Sequence, residues 1–391
     1  MKRILALMLA IACAGACVAD DSYRERAIEF LKIRSESQDI PNCNRATEYL
    51  RNYLSARGVH CTVKRTKEGR DALYAATAPG KAHDYLFVTH IDVVPGPDAM
   101  FEPRVEGDRV YARGACDTKL MAWMVAETLV GLAGSGASVA AMFATDEDGC
   151  VGEVPTCTMF VKDGFAPRKM IIVADSGGNA AQINIAQKGH WGFTLKMPGK
   201  GGHSSVPWKL DNPVPKLARA YVKLLDAYKG TPDDGSHWCN TLEATMLSAS
   251  DAPNRIPDEA SMLFSFRYVG RDDVEDLRRL VKDVTGLEPH TEYCVPPVVN
   301  DENDPEIVRL KAAMDAGFPA RKFHFGREYG ATDAFQYAHL RLPTVIVAMD
   351  GYGPHELGEW GSLACIGEYR DFFVAYFMRF SVGRQKGKDN T

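Results

Sequence analysis

This sequence of 391 residues has no long basic run, no C-x-x-C pair, and no N-terminal apolar stretch long enough to span a bilayer. With a formal net charge of -5 and acids and bases interspersed, nucleic acid is not an expected partner. Without paired cysteine motifs, the ten cysteines make no structural zinc knuckle. Cys13 and Cys17 lie at the start of the chain. Cys43, Cys61, Cys116, Cys150, Cys157, Cys239, Cys294 and Cys365 are scattered, Cys150 and Cys157 being the closest of these in sequence. Export would permit a disulfide or two without identifying them, and buried free thiols are the equal alternative.

The start "MKRILALMLAIACAGACVADD" combines two basic residues, a short apolar stretch and small residues before an acidic boundary. It reads as a secretory leader over residues 1–19, cut near Ala19, which makes the mature chain periplasmic or extracellular. A lipid anchor at Cys17 is the rival, disfavoured because Ala14 stands where leucine is preferred.

A chain this long exceeds what one compact core usually supports, so a large domain plus a smaller one is expected. Helical spacing in "DSYRERAIEFLKIRSES", "NRATEYLRNYLSARG" and "KLMAWMVAETLVGLAGSG" alternates with the apolar strand-like runs "YLFVTHIDVV", "GASVAAMF" and "KMIIVADSGG", and "TCTMFVKDGF" reads as a further helix. This predicts an α/β fold with a mostly parallel central sheet and helices on both faces, whose ligands lie beyond the carboxyl ends of the strands. From 189 to 297 the order changes to β-α-β-β-α-β, that of a small ferredoxin-like domain. The division is therefore 20–188 and 298–391 for a large domain, with 189–297 inserted.

"ATDEDGCVGE" sets Asp146, Glu147 and Asp148 side by side directly after an apolar strand. Adjacent carboxylates raise one another's pKa, so something must hold that charge. Taken alone, the cluster is a solvated turn, with Gly149 supplying the bend. Other strand ends change the balance. "YLFVT" finishes in "HIDVVP" with His90 and Asp92; "VYARGACDTK" places Asp117 just before a helix, where it could serve only as an N-cap; "IIVAD" ends in Asp175; and "TVIVAMDGYGPHELGEW" carries His355. Two imidazoles and several carboxylates at one sheet edge are what paired divalent metals require.

"HIDVVP", "ARGACDTK", "TDEDGCVGE", "VADSGG", "PGKGGHSSVP" and "GATDAF...GPHELGEW" appear in the order and spacing of the di-zinc exopeptidases and amidohydrolases related to carboxypeptidase G, aminoacylase, acetylornithine deacetylase and succinyl-diaminopimelate desuccinylase. The sequence resembles this family over nearly the whole mature chain. The resemblance implies two zinc ions, with Co2+ or Mn2+ as substitutes. Asp117 would bridge them, His90 and Asp175 would complete one site, and Asp148 and His355 the other. It further implies Glu147 as general base, Asp92 as the carboxylate orienting His90, and His203 of the inserted lid or dimerisation domain as stabiliser of an oxyanion, often in the partner subunit. Asn254 in "NRIP" and Arg267 in "FSFRYV" would contact substrate, Arg267 through a free carboxylate. The family usually has a second glutamate where this chain has the shorter Asp148, followed directly by Gly149.

The resemblance implies hydrolysis of an amide bond in a small peptide or N-acyl amino acid by metal-activated water with Glu147 as general base, in a homodimer, with no membrane contact beyond the alternative anchor at Cys17. Acetylornithine or succinyl-diaminopimelate type deacylation is the nearer alternative, and a catalytically silent relative or an exported solute-binding protein the more distant ones.

Overall fold

The structure is a computed structural model, and it describes residues 22–149, 155–175, 178–250 and 252–381. The expected leader with Cys17, together with Cys150, lies outside the described residues. The chain divides into two compact units: Met1–Pro167, Ala174–Ala180 and Ala348–Thr391 form one, Arg168–Val173 and Ala181–Val347 the other.

The first unit holds the strands His60–Arg65, Asp71–Ala76, Val139–Ala144 and Ala82–His90, hydrogen-bonded in that order. His60–Arg65 and Val139–Ala144 each pair antiparallel with Asp71–Ala76, while Ala82–His90 runs parallel to Val139–Ala144. Parallel strands buried on both faces read as continuous apolar runs, and Val139–Ala144 is buried throughout. The strands at 60–65 and 71–76 had no clear periodic signal, because "ALYAA" is small and apolar without alternation.

Helices Ser22–Leu31, Ile40–Ser55, Lys119–Leu132 and Leu363–Ser381 pack around these strands. Asp39 caps Ile40–Ser55 by accepting the Asn42 N–H at 3.1 Å. Lys119–Leu132 is apolar nearly all round and correspondingly buried. Its Trp123 sits among Phe30, Tyr49 and Tyr53 with ring centroids 4.6 to 6.1 Å away, pairs worth about 1 kcal/mol each beyond area burial. Residues 156–163 form two short 3-10 turns, Thr156–Thr158 and Val161–Asp163, instead of the helix expected from "TCTMFVKDGF". Ten residues with a glycine near the end give too few intrahelical bonds to sustain an α-helix there.

A small antiparallel ribbon, Arg104–Glu106, Arg109–Tyr111, Trp360–Ser362 and Gly351–Tyr352, completes the first unit. Gly361 is obligatory here, since any side chain would overlap the Ala115 carbonyl.

In the second unit, Gly189–Pro198, Pro213–Ala227, Thr241–Ser248, Glu259–Tyr268, Asp273–Thr285 and His290–Val295 follow one another as β-α-β-β-α-β. The four strands form an antiparallel sheet with Glu259–Tyr268 and Gly189–Pro198 at its centre. Ala260, Met262, Phe264, Phe266 and Tyr268 alternate inward along one strand and meet Leu217, Leu224, Leu277 and Val281 of the two helices. The same unit holds Gln182–Gln187, which pairs parallel with His324–Glu328 and antiparallel with Val298–Val299 and Thr344–Val347. The fold is thus mixed α/β with a central sheet and an α+β domain of ferredoxin-like order.

The described cysteines are free thiols, Cys43, Cys116, Cys157 and Cys365 being buried. Among the described residues, no helix is long and apolar enough to cross a membrane.

Candidate metal centre

His90 ends its strand fully buried, and the Asp117 loop, the turn at 147–148, Asp175 and the His355 loop of the same unit converge on it. Asp117 stands between the two imidazoles. Its Oδ1 lies 3.2 Å from His90 Nε2 and its Oδ2 3.1 Å from His355 Nε2. His90 Nε2 is also 3.6 Å from Asp175 Oδ1 and 3.9 Å from Glu147 Oε2. His355 Nε2 is 2.9 Å from Asp148 Oδ1, so the shorter carboxylate reaches it. One ligand atom from each of His90, Asp117 and Asp148 lies within 4.8 Å of the others. The helix after Asp117 begins at Lys119 with Thr118 as its N-cap, so Asp117 is not the cap.

Burial opposes charge on His90, but the hydrogen bond to Asp117 and the neighbouring carboxylates of Asp175 and Asp92 outweigh it and raise its pKa well above the ordinary value. Hydrogen bonds to Asp117 and Asp148 push His355 up to about 10. Burial likewise opposes charge on Asp117, yet its bonds to His355 and His90 bring its pKa down. For Asp148, burial prevails over the His355 hydrogen bond and raises the pKa. Its Oδ2 is buried without a hydrogen-bond partner. Such an atom is costly unless a cation faces it, and a set of imidazoles and carboxylates suits zinc or a similar divalent ion. The residues therefore fit the metal that the motifs imply.

Asp92 is fully buried and meets His90 Nδ1 through its carbonyl oxygen at 3.0 Å, with the nearer carboxylate oxygen at 3.6 Å. The carboxylate instead accepts from Ser37 Oγ at 2.6 Å and from the N–H groups of Glu147 and Asp148 at 3.2 and 3.0 Å. Asp146, third member of the acidic cluster, takes no part: it accepts the Thr156 N–H at 2.9 Å and the Thr156 hydroxyl at 2.5 Å, and burial pushes it up to about 6.

Several contributors escaped the sequence reading. Arg70, buried, donates to the carbonyls of Thr145 and, at 2.6 Å, Ser37, bringing a positive charge beneath the acids. Arg113 and Glu359 join the Asp117 and His355 loops. Both stand inside quoted motifs, but nothing in their spacing distinguishes them from surface charges. Ser37 and Arg70 have no motif at all.

In the second unit, Gly202–His203 pairs with Arg255–Ile256, and Ser204 N–H donates to the Asn254 carbonyl at 2.9 Å, so His203 and Asn254 share one ribbon. His203 Nδ1 lies 2.8 Å from Ser205 Oγ and the ring is exposed. Arg267 projects from the sheet face opposite the helices, with Nη1 buried and unpartnered; burial lowers its pKa. His190, on the same face, lies 2.9 Å from Ser265 Oγ and 3.0 Å from Tyr293 Oη. Burial, then the Arg267 charge, depress it to about 4.

Two imidazoles and four carboxylates gathered in one unit form a ligand set of the kind that holds divalent metals. Residues 185–289 match the family model of the M20 peptidase dimerisation domain. A succinyl-diaminopimelate desuccinylase of Beijerinckia indica is 32% identical over 216 residues, covering 51% of this chain and 55% of that protein. The chain thus matches little more than half of that relative's length. Among solved structures, an M20 family metallo-carboxypeptidase from Sulfolobus solfataricus superposes with a TM-score of 0.74 at 17% identity, covering 92% of this chain and 99% of that one. Human carnosine dipeptidase 1 superposes with a TM-score of 0.65 at 14% identity, over 92% and 97% of the two chains. The chain thus carries a match to the M20 peptidase dimerisation domain, is similar in sequence to a succinyl-diaminopimelate desuccinylase, and shares the fold of M20 metallopeptidases.

Proposed function

We propose that this chain is an exported, metal-dependent amide hydrolase of the M20 type, acting as a homodimer on a small peptide or an N-acyl amino acid. The observation that carries this reading is Asp117, held between His90 and His355 at 3.2 and 3.1 Å beside the unsatisfied Oδ2 of Asp148. Two zinc ions, or Co2+ or Mn2+ in their place, would be held by His90, Asp117 and Asp175 and by Asp117, Asp148 and His355, and would supply the Lewis acidity that activates water and polarises an amide carbonyl.

Glu147, partly exposed beside this set, takes the proton of the attacking water and returns it to the leaving amine nitrogen. Asp92 holds the turn that carries Glu147. Arg267, a half-buried guanidinium with an unpartnered Nη1, suits a substrate carboxylate. Asn254 and His203 take the substrate-contact and oxyanion roles that their motifs suggest. The dimerisation domain supports the dimer, and the leader supports export.

The Beijerinckia relative favours a second reading, deacylation of an N-succinyl amino acid, which the same chemistry would accomplish. Purified protein supplied with zinc should release free amine from one of three panels: dipeptides, N-acetyl amino acids or N-succinyl amino acids. Release that disappears in Glu147→Gln supports hydrolysis. Metal binding without turnover on any panel would point to a silent binding module, and absence of metal binding would remove the metallohydrolase reading.

A further inference from the structure

The pairing of Arg109–Tyr111 with Trp360–Ser362 lays two loops side by side, one ending at Asp117 and the other carrying His355. The Ala112 N–H extends the contact to the Glu359 carbonyl at 3.2 Å. Between the loops sits an ion pair that the proposed chemistry does not use. Arg113 and Glu359 are 2% and 1% exposed, with Arg113 Nη1 donating to Glu359 Oε2 at 2.6 Å.

The other oxygen of Glu359, Oε1, accepts the N–H groups of Cys116 at 2.9 Å and Asp117 at 3.1 Å. The other donors of Arg113 turn the opposite way: Nη1 and Nη2 reach the carbonyls of Glu356 and His355, each at 3.3 Å. His355 has φ of 67°, a left-handed conformation that a residue with a side chain seldom adopts unless its surroundings hold it there. A buried ion pair is by itself weak evidence for stability, because desolvation offsets much of the attraction. Here every remaining bond of the pair ends on the backbone of a proposed metal ligand or of its immediate neighbour.

We infer that Arg113 and Glu359 are positioning residues of the metal centre: Glu359 sets the backbone of Asp117, Arg113 sets the backbone of His355, and their ion pair fixes the distance between the two. This rests on the metal-centre reading above. Neither side chain touches metal or substrate. The planar fork of Arg113 serves three acceptors at once, which a lysine ammonium on its flexible stem does not reproduce.

The test uses the full chain with Arg113→Lys and Glu359→Gln, titrated with Zn2+ by calorimetry and with Co2+ by visible absorption, alongside thermal melts of the metal-free proteins. Arg113→Lys keeps the charge and should bind one ion near wild-type affinity and the second about tenfold more weakly or worse, because only the His355 side loses its anchor. Glu359→Gln disturbs the shared ligand and should weaken both ions, by about tenfold to a hundredfold. Both should change the Co2+ spectrum, which a merely structural pair would not alter. Folded variants with wild-type stoichiometry, affinities and spectrum would overturn the inference. Should either single variant fail to fold, the double variant Arg113→Met, Glu359→Leu removes both buried charges together; metal binding at wild-type strength in that protein would equally overturn it. Wild-type protein that binds no metal defeats the underlying reading instead, and is distinguished by that control.

Discussion

Asp92 accepts the backbone N–H of Asp148 on its carboxylate at 3.0 Å. The neighbouring N–H of Glu147 reaches the same group, so one buried acid fixes the turn that presents both the proposed base and a proposed ligand. Asp92→Asn would place an amide donor where one of these N–H groups needs an acceptor. We expect a folded protein whose zinc affinity falls by about tenfold to a hundredfold, read by calorimetric titration. Unchanged affinity would mean that the turn holds without Asp92.

Asp148→Ala should act on one ion more than the other, because Asp148 meets His355 while His90 gathers Asp117 and Asp175. Zinc per chain, measured by atomic absorption after dialysis, should fall from about two toward one. Glutamate at 148 should give no gain, since the aspartate already lies 2.9 Å from His355. Full zinc content in Asp148→Ala would remove Asp148 from the ligand set.

Glu147→Gln and His203→Ala should each abolish hydrolysis, the first with zinc content near wild type. If His203 serves a partner's site, mixed dimers of these two inactive chains regain one intact centre and part of the activity. Verified heterodimers that stay inactive would exclude action across the dimer.

Depression of His190 to about 4 makes stability pH-dependent in a defined direction. Between its ordinary value of 6.5 and about 4, the unfolded chain binds a proton that the folded chain refuses, so stability is lost as pH falls through that window and the loss is complete below it. The ring is partly exposed, so after allowance for solvent screening we expect about 1 kcal/mol. Denaturant melts at pH 7.5 and pH 4.5 should show His190→Gln losing less stability than wild type on acidification. Parallel losses in the two proteins would reject this.

Much of the proposed centre was legible because its members sit at strand ends, where a run such as "YLFVT" followed by His90 announces both the element and its terminus. Asp175 follows the same logic, whereas Asp117 precedes the helix at Lys119 and His355 lies in a loop past a strand. Asp146 was not separable from Glu147 and Asp148, since consecutive residues of a turn point in directions that no periodicity reports; its fate depends on Thr156, ten positions away. Arg70 and Ser37 were invisible for a similar reason, as their bonds run to Thr145 and Asp92 across the fold. The ferredoxin-like order could be read element by element because Glu259–Tyr268 alternates cleanly. The antiparallel strand Asp71–Ala76, buried on both faces, gave no such alternation.

Arg70 lies beneath the strand-end acids, and its charge acts on Asp146. That guanidinium is a resident cation, present whether or not any ion has arrived. Stripping the protein with a chelator should therefore leave the turn at 145–148 standing rather than collapsing it, and the emptied chain becomes a reusable vessel. One preparation could be drained and refilled in sequence with zinc, cobalt and manganese, so that differences among the refilled forms belong to the metal alone.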